Sequence, residues 1–258
     1  MAAARRESAV RLLLLLAALA LAPLPPVAVM AHESPQRGGA AASQTEAAPQ
    51  GDAGPGSDVS PPARPEPLRR GEGPQSYEAL LERIKRGDSS VDFGTLRLAL
   101  AASPAYRPYN GEADRLRSAM FAAYAAEDYE AAHDRARRLL EADYLDIDGH
   151  MVKALVEERL GNTELARFHQ FMAVNLVRSI LASGDGKSPE TAYVVIATAE
   201  EYAILNLRGL RPAGQALIHA NGHSFDRLRA VGGEGGEPVT LYFNVDLPLA
   251  WLERSLRR

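Results

Sequence analysis

From Tyr77 onward apolar residues recur at helical spacing. Tyr77, Leu80, Leu81 and Ile84 form one such face, and Gly87 stops it. Asp92 is placed to cap a second helix carrying Leu96, Leu98 and Leu100. Residues 103–110, Ser-Pro-Ala-Tyr-Arg-Pro-Tyr-Asn, read as a proline-punctuated loop. Two further helical patterns follow, each broken by a turn: one at Glu127-Asp128-Tyr129-Glu130-Ala131-Ala132, the other at Gly161-Asn162-Thr163-Glu164-Leu165-Ala166. Ala132 and Ala166 lie 34 residues apart, the period of the tetratricopeptide repeat. That repeat needs a tight turn between its helices and a small residue where they touch. Asp128 and Gly161-Asn162 suit the turns, and the two alanines suit the contacts. Other places of the pattern are not met: Glu127 stands where the first turn would have glycine, and Tyr144 where the closing proline would fall. A generic antiparallel helix bundle therefore stays open beside the repeat.

After Ser183 the period changes from 3.6 to 2. Residues 193–198, 202–207, 215–220, 224–231 and 239–246 read as strands with short connections. Asn221-Gly222 is a two-residue hairpin signal, which sets Ala220 opposite His223 and His219 opposite Ser224. Trp251 and Leu252 are expected to pack back on this sheet. The fold class that follows is α+β: tetratricopeptide-like helical hairpins over 75–182, then a small antiparallel meander over 183–258.

The N-terminal quarter is of another kind. Residues 1–31 combine Arg5, Arg6 and Arg11, a short Leu/Ala run, and Val29-Met30-Ala31 at a cleavable end, the layout of a signal peptide. The run is too short to span a bilayer, so no transmembrane anchor is expected after cleavage. A lipoprotein signal requires cysteine, and the chain has 0. Residues 32–74 are rich in Pro, Gly, Ala, Ser and Gln and read as a disordered linker. An exported protein, periplasmic or secreted, is the expectation. The absence of cysteine also excludes disulfides, thiolate metal sites and cysteine nucleophiles. Net charge is −4 over the whole chain, and more negative once the arginine-bearing segment is removed. With no basic stripe, nucleic acid is not an expected partner.

Motifs with chemical content are few. Gly184-Asp185-Gly186-Lys187-Ser188 ends like a phosphate loop, but Leu181 stands where its first glycine belongs and a strand, not a helix, follows. Asp146-Ile147-Asp148-Gly149 hints at a calcium loop but lacks the third acidic position and the distal glutamate, so it reads as a turn and helix cap. His219 and His223 face opposite sides of the hairpin and share no metal. His223 with Asp226 is the best acid–base pairing on offer. His32, as a new N-terminus, would supply an amine and an imidazole to copper without a preorganised partner. No Gly-x-Ser-x-Gly elbow occurs. No cofactor and no resident metal are expected.

Four segments taken together carry a resemblance. They are Phe171 to Asn175, the run Ser183 to Tyr193, Asn221-Gly222-His223-Ser224-Phe225-Asp226, and Leu241-Tyr242-Phe243-Asn244-Val245-Asp246. With the Tyr106-Arg107-Pro108-Tyr109 loop they resemble a family of exported bacterial proteins catalogued as a domain of unknown function, over roughly Tyr77 to Trp251. The resemblance implies the ordered boundaries and export, and assigns no catalytic residue.

Two functions are expected from the pattern. The first is a non-catalytic protein- or peptide-interaction module of the bacterial envelope, since stacked helix pairs form a concave surface. Asp114, Arg117 and Tyr124 in the first helix pair, and Asp148 and Glu158 in the second, would line that surface. The alternative is an envelope hydrolase at the helix–sheet junction, using Asp185, Lys187, His223 and Asp226. The two differ in whether those four residues converge.

Overall fold

The computed structural model describes residues 75–232 and 236–257. The expected signal peptide and linker lie outside the described residues. The chain begins with α1 (Tyr77–Lys85) and α2 (Phe93–Ala102). Four longer helices follow: α3 (Gly111–Ala125), α4 (Tyr129–Ala142), α5 (Ile147–Arg159) and α6 (Thr163–Leu181). A short 3-10 turn (Pro189–Thr191) and β1 (Tyr193–Val194) lead into α7 (Thr198–Leu207). β2 (Arg211–Ala220), β3 (His223–Val231), β4 (Pro238–Asn244) and α8 (Asp246–Leu256) complete the α+β fold.

Short polar side chains start the first five helices. Ser76, Asp92, Asn110, Asp128 and Asp146 each accept a backbone N–H from the first turn of the helix that follows. The turns between α3 and α4 and between α5 and α6 are built alike. Glu127 (φ 61°) and Gly161 (φ 80°), 34 residues apart, both take the left-handed conformation that ends a helix. Small residues then let the helices close. Ala132, Ala136 and Ala166 are buried, and a Cβ added to Gly149 would lie 2.9 Å from Leu140 Cδ2.

The sheet order is β1-β4-β3-β2. β2, β3 and β4 form the expected antiparallel meander. The Asn221-Gly222 hairpin has the expected register, Ala220 opposite His223 and His219 opposite Ser224. Asn221 (φ 51°) and Gly222 (φ 79°) are both left-handed, as a primed two-residue turn demands. Two expected strands differ. Residues 193–198 pair only at Tyr193 and Val194, and there parallel to β4. Residues 202–207 lie in α7, not in a strand. Their alternating Tyr, Ile and Leu imitate a strand, but Ala203, Ile204 and Leu205 are all buried, so the apolar surface is the wider face of a packed helix. Trp251 sits on α8 with its ring centroid 6.2 Å from that of Tyr109, so it meets the loop between α2 and α3.

The main core runs across the change in secondary structure. Leu96, Leu176 and Ile180 of the helices join Tyr193, Leu228, Leu241 and Phe243 of the sheet in one apolar cluster. A smaller cluster, including Met120, Ala136, Leu139, Val152 and Val156, holds α3, α4 and α5 together. The turn from α4 into α5 thus lies beside the loop before α3 and the start of α7. Among the described residues, no helix is long and apolar enough to cross a membrane.

Candidate functional site

The α4–α5 turn places Asp143, Asp146 and Asp148 within six residues. Local hydrogen bonding accounts for two of them. Asp143 Oδ1 accepts the Leu145 N–H at 3.1 Å, and Asp146 Oδ1 caps α5 through the Gly149 N–H at 2.6 Å. Asp148 occupies the first turn of α5, where the helix dipole favours a negative charge. It is only 3 % exposed, and among the described residues its Oδ1 has no hydrogen-bond partner.

One guanidinium serves this turn. Arg117 of α3 reaches Asp146 Oδ2 at 2.5 Å, Asp114 Oδ1 at 2.7 Å and Asp148 Oδ2 at 3.6 Å. Burial works against the Arg117 charge, but Asp146 above all holds its pKa above the ordinary value. The carboxylates remain in excess. Burial, then the neighbouring Asp146 charge, pushes both Asp143 and Asp148 up to about 7.

Two other elements face the turn. From the loop before α3, the Tyr106 hydroxyl donates to the Ile196 carbonyl at 2.5 Å, and Arg107 donates to the carbonyls of Pro104 and Tyr106. From α7, Glu200 is bonded by Arg97 at 2.8 and 2.6 Å and by the Ile196 N–H at 2.8 Å. Between these elements lies a cavity of about 220 Å3, bordered by Tyr77, Tyr106, Asp143, Asp146, Asp148 and Glu200. A groove of about 640 Å3 runs alongside, between Asp114, Arg117 and Phe121 of α3 and Tyr202 and Asn206 of α7. Asp143 and Asp148 border both.

Of the residues expected to line a binding surface, Asp114, Arg117 and Asp148 meet here. Tyr124 and Glu158 do not border this groove. Tyr124 packs edge-on against Tyr129 with centroids 5.8 Å apart, and Glu158 is exposed near the far end of α5. Sequence reasoning missed Asp143 and Glu200 and read Asp146 only as a turn and helix-cap residue. The visible signal was three aspartates in one short inter-helix turn.

The four residues of the hydrolase alternative divide into separate settings. Asp185 pairs with Lys187 at 3.2 Å on the surface and accepts from the Thr191 hydroxyl at 2.6 Å. His223 bonds Asp246 at 2.6 Å rather than Asp226. Asp226 instead accepts from Gln215 at 2.7 Å. Asp226 lies three positions beyond His223 along β3, an odd offset, which turns their side chains to opposite faces. Among the described residues, no hydrogen bond or ion pair joins Asp185 or Lys187 to His223 or Asp226.

No curated protein matches the chain, nor does any solved structure. A family model described as a domain of unknown function (DUF4919) matches residues 71–254, and the chain belongs to that family.

Proposed function

We propose that this is a non-catalytic interaction module of the bacterial envelope, binding a peptide segment in the groove between α3 and α7. The observation that carries the reading is the groove itself. It lies between α3 and α7, it is about 640 Å3 in volume, and it shares Asp143 and Asp148 with a second, smaller cavity. A helix-walled groove with a side pocket suits an extended chain that sends one side chain inward. Phe121 and Tyr202 offer apolar surface along it, while Asp114 and Arg117 offer polar anchors.

One observation favours a hydrolase at a different place from the Asp185, Lys187, His223 and Asp226 set. Carboxyls held near neutrality, as Asp143 and Asp148 are, suit proton transfer. Against it, the cavity brings no nucleophile with an adjacent base into contact with them.

A phage-displayed peptide library panned against the full chain tests the binding reading. Recovered peptides should bind the wild type and lose affinity about tenfold or more in Phe121→Arg and Tyr202→Arg, the cost typical of an interface anchor. Arg138→Glu, on the exposed side of α4, should leave binding unchanged. Recovery of no peptide, or binding indifferent to both groove substitutions, would reject the reading.

A further inference from the structure

We propose that the cavity beneath the α4–α5 turn receives one cationic side chain, a lysine or arginine of the bound peptide, against Asp143 and Asp148. This rests on the peptide-binding reading above and names the chemistry of its ligand.

Arg117 faces three carboxylates, and its short contacts go to Asp146 and Asp114. Asp148 receives only the longer 3.6 Å approach. Its Oδ1 is buried without any hydrogen bond. Leaving a buried carboxylate oxygen unpaired is costly, and native structures do so sparingly outside functional sites. Asp143 has the Leu145 N–H but, among the described residues, no cation in contact. The other charges nearby are engaged. Arg97 neutralises Glu200, and Arg107 points its hydrogen bonds at carbonyls. Asp143 therefore lacks a counter-ion among the described residues, Asp148 has only a 3.6 Å share of Arg117, and both hold their protons to a higher pH than an ordinary carboxyl. An incoming ammonium or guanidinium would replace those protons.

Shape selects among cations. The carboxylates are spread around Arg117, and among the described residues no three His, Asp or Glu side chains are placed to hold one metal ion. The cavity, at about 220 Å3, is smaller than the ~300–1,000 Å3 of pockets for drug-sized ligands. It has room for one long side chain. Tyr77, Leu100 and Tyr106 also line it, surface on which the methylene stem of a lysine or arginine would lie while its charged head meets the aspartates. Because Asp148 borders both spaces, a peptide backbone in the groove has a direct route for that side chain.

The test uses the full chain and blocked pentapeptides Ala-Ala-Xaa-Ala-Ala, with Xaa lysine, arginine or norleucine, beside butylammonium chloride alone. Titration calorimetry should show lysine and arginine peptides binding at least about tenfold more tightly than the norleucine peptide. Asp148→Asn and Asp143→Asn, each checked for native circular dichroism, should abolish that preference. In wild type, the carboxyl carbon resonances of Asp143 and Asp148 should move to their ionised positions when the lysine peptide saturates, a readout independent of the variants. Equal affinity for lysine and norleucine peptides, with both resonances unmoved, would overturn the cation site and leave the peptide groove standing. Butylammonium binding as tightly as the lysine peptide would overturn the peptide as the source of the cation. Binding of neither pentapeptides nor library peptides would remove both proposals.

Discussion

His150 and His169 share one proton across 2.9 Å between their Nδ1 atoms. The direction of that bond is fixed from the other side of the ring. His150 Nε2 lies 2.9 Å from the Tyr144 carbonyl, which only accepts, so Nε2 carries the hydrogen. His150 Nδ1 is then bare, and His169 Nδ1 donates to it. Both rings are neutral. Burial first, and then a neighbouring ring or Lys153, holds His150 at about 3 and His169 at about 4. The unfolded rings titrate near 6.5, so between pH 6.5 and about 4 the unfolded chain binds protons that the native protein refuses. Stability must fall as pH falls through that window, by about 1.4 kcal/mol per pH unit for each ring. Urea unfolding of wild type and of the double variant His150→Phe/His169→Phe should diverge below pH 6.5, the wild type losing more. Nitrogen-15 spectra at pH 7 should show Nε2–H on His150 and Nδ1–H on His169.

A second buried contact ties the helices to the start of α7. Arg97 and Glu200 form a two-pronged ion pair at 2.8 and 2.6 Å, with both side chains almost wholly buried. Arg97 also donates to the Val194 carbonyl at 2.9 Å, so it pins β1 as well. Arg97→Met would strand the Glu200 charge and should cost about 3–5 kcal/mol in urea unfolding. The double variant Arg97→Met/Glu200→Gln removes both charges and should recover more than half of that loss. If the double variant were no more stable than the single one, packing and not charge would be the pair's role.

What the sequence revealed, and what it hid, follows the range of the interactions. Asn221-Gly222 fixes its hairpin through the φ angles of two adjacent residues, so its register was readable directly. Asp92, Asp128 and Asp146 act within one helical turn and were likewise legible as caps or turn residues. Residues 202–207 were misread because their alternation fits a strand locally. Their helix is set by distant partners, including Arg97, which bonds Glu200 from 103 residues away. The candidate site has the same character. Arg117 and Asp146 are 29 residues apart, and Tyr106 reaches Ile196 across 90. Asp148 could be placed on an inner helix face from its register. The charge excess that gives it meaning arises only when α3, the α4–α5 turn and α7 come together.

The glycines of the 183–188 loop serve packing, and that is testable. Gly186 has φ +70°, and a Cβ there would lie 2.4 Å from the Tyr193 ring. A Cβ on Gly184 would lie 2.3 Å from the Thr191 carbonyl oxygen, a backbone atom with little freedom to yield. The Gly186 carbonyl also accepts the Tyr242 N–H at 2.9 Å, which holds the loop against β4. Gly184→Ala and Gly186→Ala should each lower stability by about 2 kcal/mol or more. Lys187→Ala should stay within about 0.5 kcal/mol of wild type, as expected for an exposed side chain. Thermal melts of the three variants check the contrast, and a severe loss in Lys187→Ala alone would reverse the assignment.

Glu201 makes stability fall as pH rises toward about 9. It is wholly buried. Burial above all, then Asp226 through its charge and a hydrogen bond, and last the Glu200 charge, push its pKa up to about 9 from an ordinary value of 4.5. The native protein therefore keeps Glu201 protonated where the unfolded chain has released the proton. Its contribution is complete below pH 4.5 and declines as pH rises through the folded value near 9, at about 1.4 kcal/mol per unit. Asp143 and Asp148 share the lower part of that window, since they titrate near 7, so pH 7 to 9 isolates Glu201 among these raised carboxyls. Glu201→Gln preserves shape and removes the titration. Across pH 7 to 9 the urea midpoint of the wild type should fall while that of Glu201→Gln falls less, leaving the variant the more stable protein at pH 9. Parallel curves for the two proteins would mean that Glu201 is already ionised at neutral pH and finds a partner on the way to the folded state.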